Sequence, residues 1–406
     1  MADKSYEVTF DGQAADDSLY ADVLQIEVDE RVAAASTFRL RVALTQQDSG
    51  EWTYTDDDRF SLFTNVGVSV GFSGSAGASA LAGLSGGGAG GLEPVIDGYV
   101  TGVSVHVGAR PEESYLEIQG MDASVLLSLE EKTIPWPNLA DSDIVQQIVS
   151  GYGFTVQAES TNPVHQDTDT LIVQRGTDIQ FVRSLARRNG YEFYFQKDPT
   201  SGDVTAYFQP PQLSGSPQPD IAVQFGEQSN LLSFDVAVSG LRPLDVLVRQ
   251  VDPSSKSVNT GQASSTQLTT LGASTLESLV SGKLGQLVTP DQAQGRMLLV
   301  AQPSADATEL SAVAQAVRDE AGWLITATGE INSDAYGAVL HPGRLILVKG
   351  VGSEYSGTYY VTQVTHRLRS DGSYTQGFEL RRNARDLDGS EQFGSGPGGG
   401  LGVSVG

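Results

Sequence analysis

Apolar and polar positions alternate along much of the first 70 residues. Leu24, Ile26 and Val28 interleave with Gln25, Glu27 and Asp29; Phe38, Leu40 and Val42 then interleave with Arg39, Arg41 and Ala43. A period of two sends one set of side chains to a core and the other to water, so the pattern predicts half-buried antiparallel strands. Residues 66–72 predict a third strand after the polar loop 54–59, and 95–107 and 114–119 predict two more. Residues 73–92, SGSAGASALAGLSGGGAGGL, have little bulk to pack and much backbone freedom to lose. They are expected to form a mobile loop inside a first β unit of residues 1–120.

From 121 to 219 the period changes. Ile144, Val145, Ile148 and Val149 share one helical face behind an acidic start at Asp141, and Gly151 and Gly153 end the helix. A second helix opens on a capping box, Thr177 with Gln180. It buries Ile179, Val182, Leu185 and Ala186 and stops at Gly190. Strands at 191–195 and 204–209, joined by the turn 199–203, complete a small α+β unit that the Pro-rich stretch 210–219 closes.

Strands resume at 222–225, 231–239 and 245–251. Residues 253–273, rich in Ser, Thr and Gln, read as an exposed loop. Helices are expected around 276–284 and over 309–321, the latter capped by Thr308. The last strands are predicted at 345–350, 358–368 and 375–381. Residues 220–393 therefore read as a second β unit with a helical excursion over 274–322, and 394–406 as a flexible tail. The fold class is mainly β with an α+β insert. Two β units of similar size hint at duplicated barrels, although no direct sequence repetition joins them.

Composition narrows the function. A chain of 406 residues is too long for one ordinary core. It has no cysteine, which removes disulfides and thiolate chemistry together. Its start resembles no signal peptide, and no apolar run is long enough to span a bilayer. Fifty acidic residues against 25 basic ones give a formal charge of −25, a surface that repels nucleic acid. Only Lys4, Lys132, Lys197, Lys256, Lys283 and Lys349 are lysines. That balance suits a salt-rich cytosol, where self-repulsion is screened; a high-GC genome that uses Arg for Lys is the alternative.

The candidate chemistry is thin. His106, His165, His341 and His366 have no ligand partners at metal-binding spacings, and His366 reads as a hydrogen-bonded strand residue. Asp56, Asp57 and Asp58 lack the spacing of a calcium loop, so a solvated acidic loop is expected there, and the same holds for Asp16 and Asp17. Glu130 and Glu131 are neighbours in sequence, which does not make an acid/base pair across a cleft. The glycines of 73–92 lead to no helix bearing a lysine, so they cradle no phosphate. Trp136, held between Pro135 and Pro137, packs either in its own unit or against a neighbouring subunit.

Three stretches resemble the late-control-D/VgrG family of tail hub proteins. In 171–195 the resemblance rests on Gln174, Thr177 and Asp178 at a turn, Phe181 and Leu185 on a helix, Gly190 at its end, and the aromatic strand that follows. Over 340–382 it rests on Gly357, Tyr359 and His366 in one strand and on Phe378, Leu380, Arg381 and Arg382 in the next. The third stretch, 24–44, resembles the opening strand pair. These residues are structural in the family; no catalytic residue, cofactor or metal is implied.

The resemblance implies a homotrimer. Each subunit would supply two antiparallel β-barrels to a pseudo-sixfold ring, adapting a sixfold tube above to a threefold spike below around a central channel. The insert would lie outside or at the lower rim, with baseplate wedge proteins around it. Such a protein assembles in the cytoplasm into a phage tail or a released injection particle. The sequence stops after 399–406 without the further barrel and spike that some members carry; either the spike is a separate protein, which is the expectation, or the chain ends artificially close to a domain junction. A contractile tail or injection system is the leading reading. The alternatives are a non-contractile tail hub, a glycan- or cell-surface-binding β protein and a tail-associated lysozyme.

Overall fold

The computed structural model describes residues 3–73, 91–167, 171–252, 255–284, 286–288, 296–300, 307–389 and 391. The loop expected at 73–92 falls almost wholly outside these residues, as does the tail at 394–406.

The alternating pattern of the N-terminal region forms β1 (Asp3–Phe10), β2 (Gln13–Ala14), helix α1 (Asp17–Asp22), β3 (Val23–Arg31), β4 (Thr37–Ala43), β5 (Asn65–Ser73), β6 (Leu92–His106) and β7 (Tyr115–Asp122). The middle region holds β8 (Glu131–Trp136), α2 (Asp141–Ser150), β9 (Thr155–Ala158), β10 (Ile172–Thr177), α3 (Asp178–Asn189), β11 (Glu192–Lys197) and β12 (Val204–Gln209). There follow β13 (Gln218–Ala222), β14 (Leu231–Val238), β15 (Asp245–Val251), β16 (Val258–Ala263), β17 (Ser274–Thr275), α4 (Leu276–Leu284), β18 (Arg296–Val300) and α5 (Ala307–Gly322). The chain closes with β19 (Ile325–Asn332), α6 (Ser333–Tyr336), β20 (Leu345–Lys349), β21 (Gly357–Arg369), β22 (Tyr374–Arg382) and β23 (Ala384–Arg385).

Among the described residues one 13-stranded sheet joins strands from the first 122 residues to strands from 218–382. Its order is β14-β19-β22-β21-β3-β4-β7-β6-β5-β1-β2, with β20 branching from β21 and β13 pairing β20. From β14 to β6 every pair is antiparallel. The run divides at β21·β3 into halves of equal make-up. In β3-β4-β7-β6 the first two strands in the chain are followed by the last and then the third. The same permutation holds in β14-β19-β22-β21. β5 forms a hairpin with β6 just as β20 does with β21.

Irregularities repeat too. Register shifts fall at Val100/Gly102 in β6 and at Val361/Gln363 in β21. The Val100 carbonyl accepts from Phe63 N–H at 2.8 Å, and the Val361 carbonyl accepts from Gly343 N–H at 2.8 Å. Phe63 and Gly343 both have positive φ, 66° and 79°. Bulges are local backbone devices, so their recurrence at matching places marks a repeated fold whose side chains have diverged.

Each half surrounds its own core. Val8, Ile26, Leu40, Val68 and Ile118 represent the first, and Ile221, Ala327, Val348, Val361 and Leu380 the second. The insert packs α2 and α3 on β11 and β12 through Ile144, Val182, Leu185, Phe193 and Phe208. Helix α5 covers β15 and β16 through Leu310, Ala314, Val246 and Ala263.

Three sequence expectations change here. Residues 258–263, expected within an exposed loop, form β16. A Cβ on Gly261 would lie 2.2 Å from the Leu310 carbonyl carbon, so the strand is pressed under α5 by a contact that polar composition hides. Thr308 lies inside α5 rather than capping it. The strand expected at 222–225 lies earlier, with β13 ending at Ala222, and β19, which no expectation covered, supplies a central strand of the second half.

Candidate functional site

Among the described residues the two halves share one ladder, β21 with β3. In it Gln363 lies opposite Arg31, His366 opposite Val28 and Arg369 opposite Gln25. The alternation of β3 sends Glu27 and Asp29 to one face of the sheet and Val28 and Glu30 to the other.

The outer face is polar but paired. Arg367 Nε meets Glu27 at 3.1 Å, Arg31 meets Asp29 at 2.6 Å, and Arg41 meets Glu117 at 2.6 Å. Such half-exposed pairs are each worth about 0–1 kcal/mol. Their effect is to make this face nearly neutral in a chain whose formal charge is −25.

Beneath the ladder lies a buried polar cluster. Glu30 Oε1 accepts from His366 Nε2 at 2.7 Å, and His366 Nδ1 meets the Tyr374 hydroxyl at 2.8 Å. His341 sits between two carboxylates, with Nδ1 at 3.4 Å from Glu30 and Nε2 at 3.1 Å from Glu93. Burial alone would drive His341 neutral, but the Glu30 and Glu93 carboxylates outweigh it and raise its pKa to about 9. Burial likewise opposes the charge on Glu30, and His341 and His366 overcome it, holding that carboxyl below its usual range. Carboxylates only accept, so both ring nitrogens of His341 carry protons in this arrangement. These groups satisfy one another and tie β3, β6, β21 and β22 together. Among the described residues no group of three or more His, Asp or Glu could hold a metal ion.

A second network holds the insert. Asp178 accepts from Gln174 Nε2 at 2.5 Å, Lys132 Nζ at 2.6 Å and the Tyr152 hydroxyl at 2.6 Å. Trp136 Nε1 donates to Gln174 at 3.2 Å, so its partner lies within its own unit. Thr177 and Gln180 form a reciprocal capping box at the start of α3, and Phe181 and Leu185 enter the insert core. Gly190 ends α3 with φ 69°, and a Cβ there would stand 3.2 Å from Ala316 Cα on α5. The glycine thus allows both the left-handed exit and the approach of the second half's helix. At the same interface Arg188 joins Asp141, and its Nη1 meets Glu309 at 3.0 Å.

Gly357, Tyr359 and Arg382 form a third group. The buried Arg382 guanidinium lies 5.4 Å from the Tyr359 ring centre and donates to the carbonyls of Leu271, Ser356 and Asp386 at 2.8–2.9 Å. Gly357 has φ 129°, and a Cβ on it would lie 2.6 Å from Arg382 Nη2. The structure thus divides the sequence-highlighted residues among three places: Gln174 through Gly190 in the insert, Gly357 and Tyr359 beside Arg382, and His366 at the junction. Sequence reading missed Glu30 as the partner of His366, and missed His341 as the bridge between Glu30 and Glu93. Glu30 and His366 are 336 positions apart, and no local spacing encodes such a meeting.

Residues 2–370 match the family model described as the Alg8 N-terminal domain. The chain belongs to the Alg8 N-terminal domain family. No curated protein matches it. Among solved structures, this Alg8 N-terminal domain protein is similar to the 43 kDa tail protein of prophage MuSo2 from Shewanella oneidensis, with TM-score 0.61 and 12% identity over 95% of this chain and 100% of that one. It is similar to a tail protein from Neisseria meningitidis MC58, with TM-score 0.61 and 12% identity over 94% and 97%. It is also similar to the E. coli c3393 protein, a component of the type VI secretion system with structural similarity to T4 tail proteins gp27 and gp5. There the TM-score is 0.51 and identity 16%, over 93% and 76%. At such identities the likeness is one of fold: a mainly β fold shared with tail proteins. The late-control-D/VgrG resemblance therefore meets the comparisons at the level of fold, while the matching family model is the Alg8 N-terminal domain. No helix among the described residues is long and apolar enough to cross a membrane.

Proposed function

We propose that the chain is a structural hub in a phage-type tail or contractile injection baseplate, with residues 1–120 and 220–393 as two barrel-like units and 121–219 as the α+β insert. The repeated strand permutation carries the reading. Two halves of like topology and like strand direction allow three chains to present six similar faces around one axis. An eight-strand antiparallel run ends on strands of opposite direction, so copies laid side by side continue the alternation. The outer ladder of β14 and the distal part of β6 are unpaired among the described residues, and a free edge with apolar side chains favours association.

In this reading the paired, nearly neutral face lines the channel, and the acidic charge lies elsewhere. A hexameric tube protein would stack on the ring, a spike would lie below, and wedge proteins would surround it. The chain serves as scaffold, adapting sixfold to threefold symmetry, and assembles in the cytoplasm into a virion tail or released particle.

Light scattering and electron microscopy of the purified full chain test this at high salt, where like charges are screened. The expected particle has about 129 kDa, three times 42.9 kDa, with six similar lobes in axial view. A monomer throughout the micromolar range, or a ring without six-lobed character, overturns the proposal.

A further inference from the structure

We infer that β6 of one chain pairs with β14 of a second copy in the same register that β21 keeps with β3 within the chain; this rests on the hub reading above and specifies its contact. The internal repeat sets the register. Val361 lies opposite Leu380, Leu380 opposite Ala327, and Ala327 opposite Val236. In the other half Val100 lies opposite Gly120, Gly120 opposite Phe38, and Phe38 opposite Val28. Val100 and Val361 occupy the same bulge, so Val236 is the counterpart of Val28. The bulges between Val23 and Gln25 and between Leu231 and Ser233 then coincide as well, an independent check on the alignment.

Within the chain, His366 lies opposite Val28. Its counterpart, five residues beyond the bulge in β6, is Val105. The repeat therefore places Val105 opposite Val236 of the next copy, Val103 opposite Val238 and Val107 opposite Phe234. Val103, Val105, Val107 and Val238 are 41%, 51%, 52% and 48% exposed in the single chain. Isolated valines on a surface mean little, but Val103 and Val105 on β6, Val107 just past its end and Val238 on β14 stand at alternate positions along edges whose outer backbone is unpaired among the described residues. On the polar face, His106 takes the place of Arg367 and Asp235 that of Glu27. Those internal residues form an ion pair at 3.1 Å, and the proposed contact keeps a cation-capable group against a carboxylate. A second copy of this chain offers the missing strand in the correct direction, length and side-chain pattern.

Cysteine crosslinking tests the register without background, because the chain has no cysteine. Directly opposed antiparallel residues have Cα atoms about 4.5–5.5 Å apart, within disulfide reach. Mild oxidation of Val105→Cys/Val236→Cys should give a covalent trimer that a reductant dissolves, while each single variant and Ser104→Cys/Val236→Cys, whose thiols face opposite sides, should give none. Val105→Glu should shift assembly toward monomer at least tenfold in midpoint concentration with unchanged circular dichroism. Two outcomes separate the failures. A trimer that crosslinks through Val103→Cys/Val236→Cys but not through Val105→Cys/Val236→Cys overturns the register and leaves the hub standing. A chain that stays monomeric and crosslinks in no variant overturns both.

Discussion

Raising the pH should loosen the junction between the two halves, and His341 sets the size of the effect. In the fold its pKa is raised to about 9 from an ordinary 6.5, because Glu30 and Glu93 hold its charge against the cost of burial. Each tenfold gain in proton affinity on folding corresponds to about 1.4 kcal/mol, so the protonated histidine contributes roughly 3 kcal/mol. The folded state binds the extra proton, so this contribution is complete below pH 6.5. It declines as the unfolded chain stops taking up that proton and is gone above pH 9. Urea unfolding of the full chain at constant high salt, from pH 6 to 9.5, reads this as a falling midpoint. His341→Gln should be less stable at pH 6.5 because it leaves Glu30 and Glu93 with one partner fewer. Its midpoint should then stay nearly level between pH 7.5 and 9, where the parent falls. Parallel curves for parent and variant across that window would refute the assignment of the proton to His341.

A second buried carboxyl should act at lower pH: burial raises Glu192 to about 7, with its Tyr360 hydrogen bond opposing, so stability should fall by about 3 kcal/mol from pH 4.5 to 7, and Glu192→Gln should remove that slope in the same titration. Gly357→Ala should cost about 2–4 kcal/mol in urea unfolding, since the new methyl group meets the buried Arg382 guanidinium at a positive φ; a loss under 1 kcal/mol would count against the packing described. Asp178→Ala should cost about 3 kcal/mol by stripping a common acceptor from Gln174, Lys132 and Tyr152, and Asp178→Asn should recover part of it. Thermal unfolding should shift upward with salt because the net charge is −25, and full stability at low ionic strength would end the halophile reading.

Local signals carried the sequence reading wherever the physics was local. The capping box of Thr177 and Gln180 and the stop at Gly190 appear in α3 as expected, because each is settled within a few residues. The alternation of Leu24–Val28 and Phe38–Val42 marked β3 and β4, because one sheet face is buried and the other wet. The same rule failed at β16, whose burial depends on Gly261 lying beneath a helix some 50 positions later.

Tertiary structure alone decided the rest. The sequence by itself determined a mainly β chain without cysteine, strongly acidic, with a helical insert, because composition and short periods are properties of neighbours. That β21 joins β3, that Glu30 meets both His341 and His366, and that the two halves repeat one strand permutation depend on pairings hundreds of positions apart. Repeated backbone geometry persists through any residues that fill the same volumes and satisfy the same hydrogen bonds. The duplication therefore survives in bulges and strand order after it has gone from the side chains.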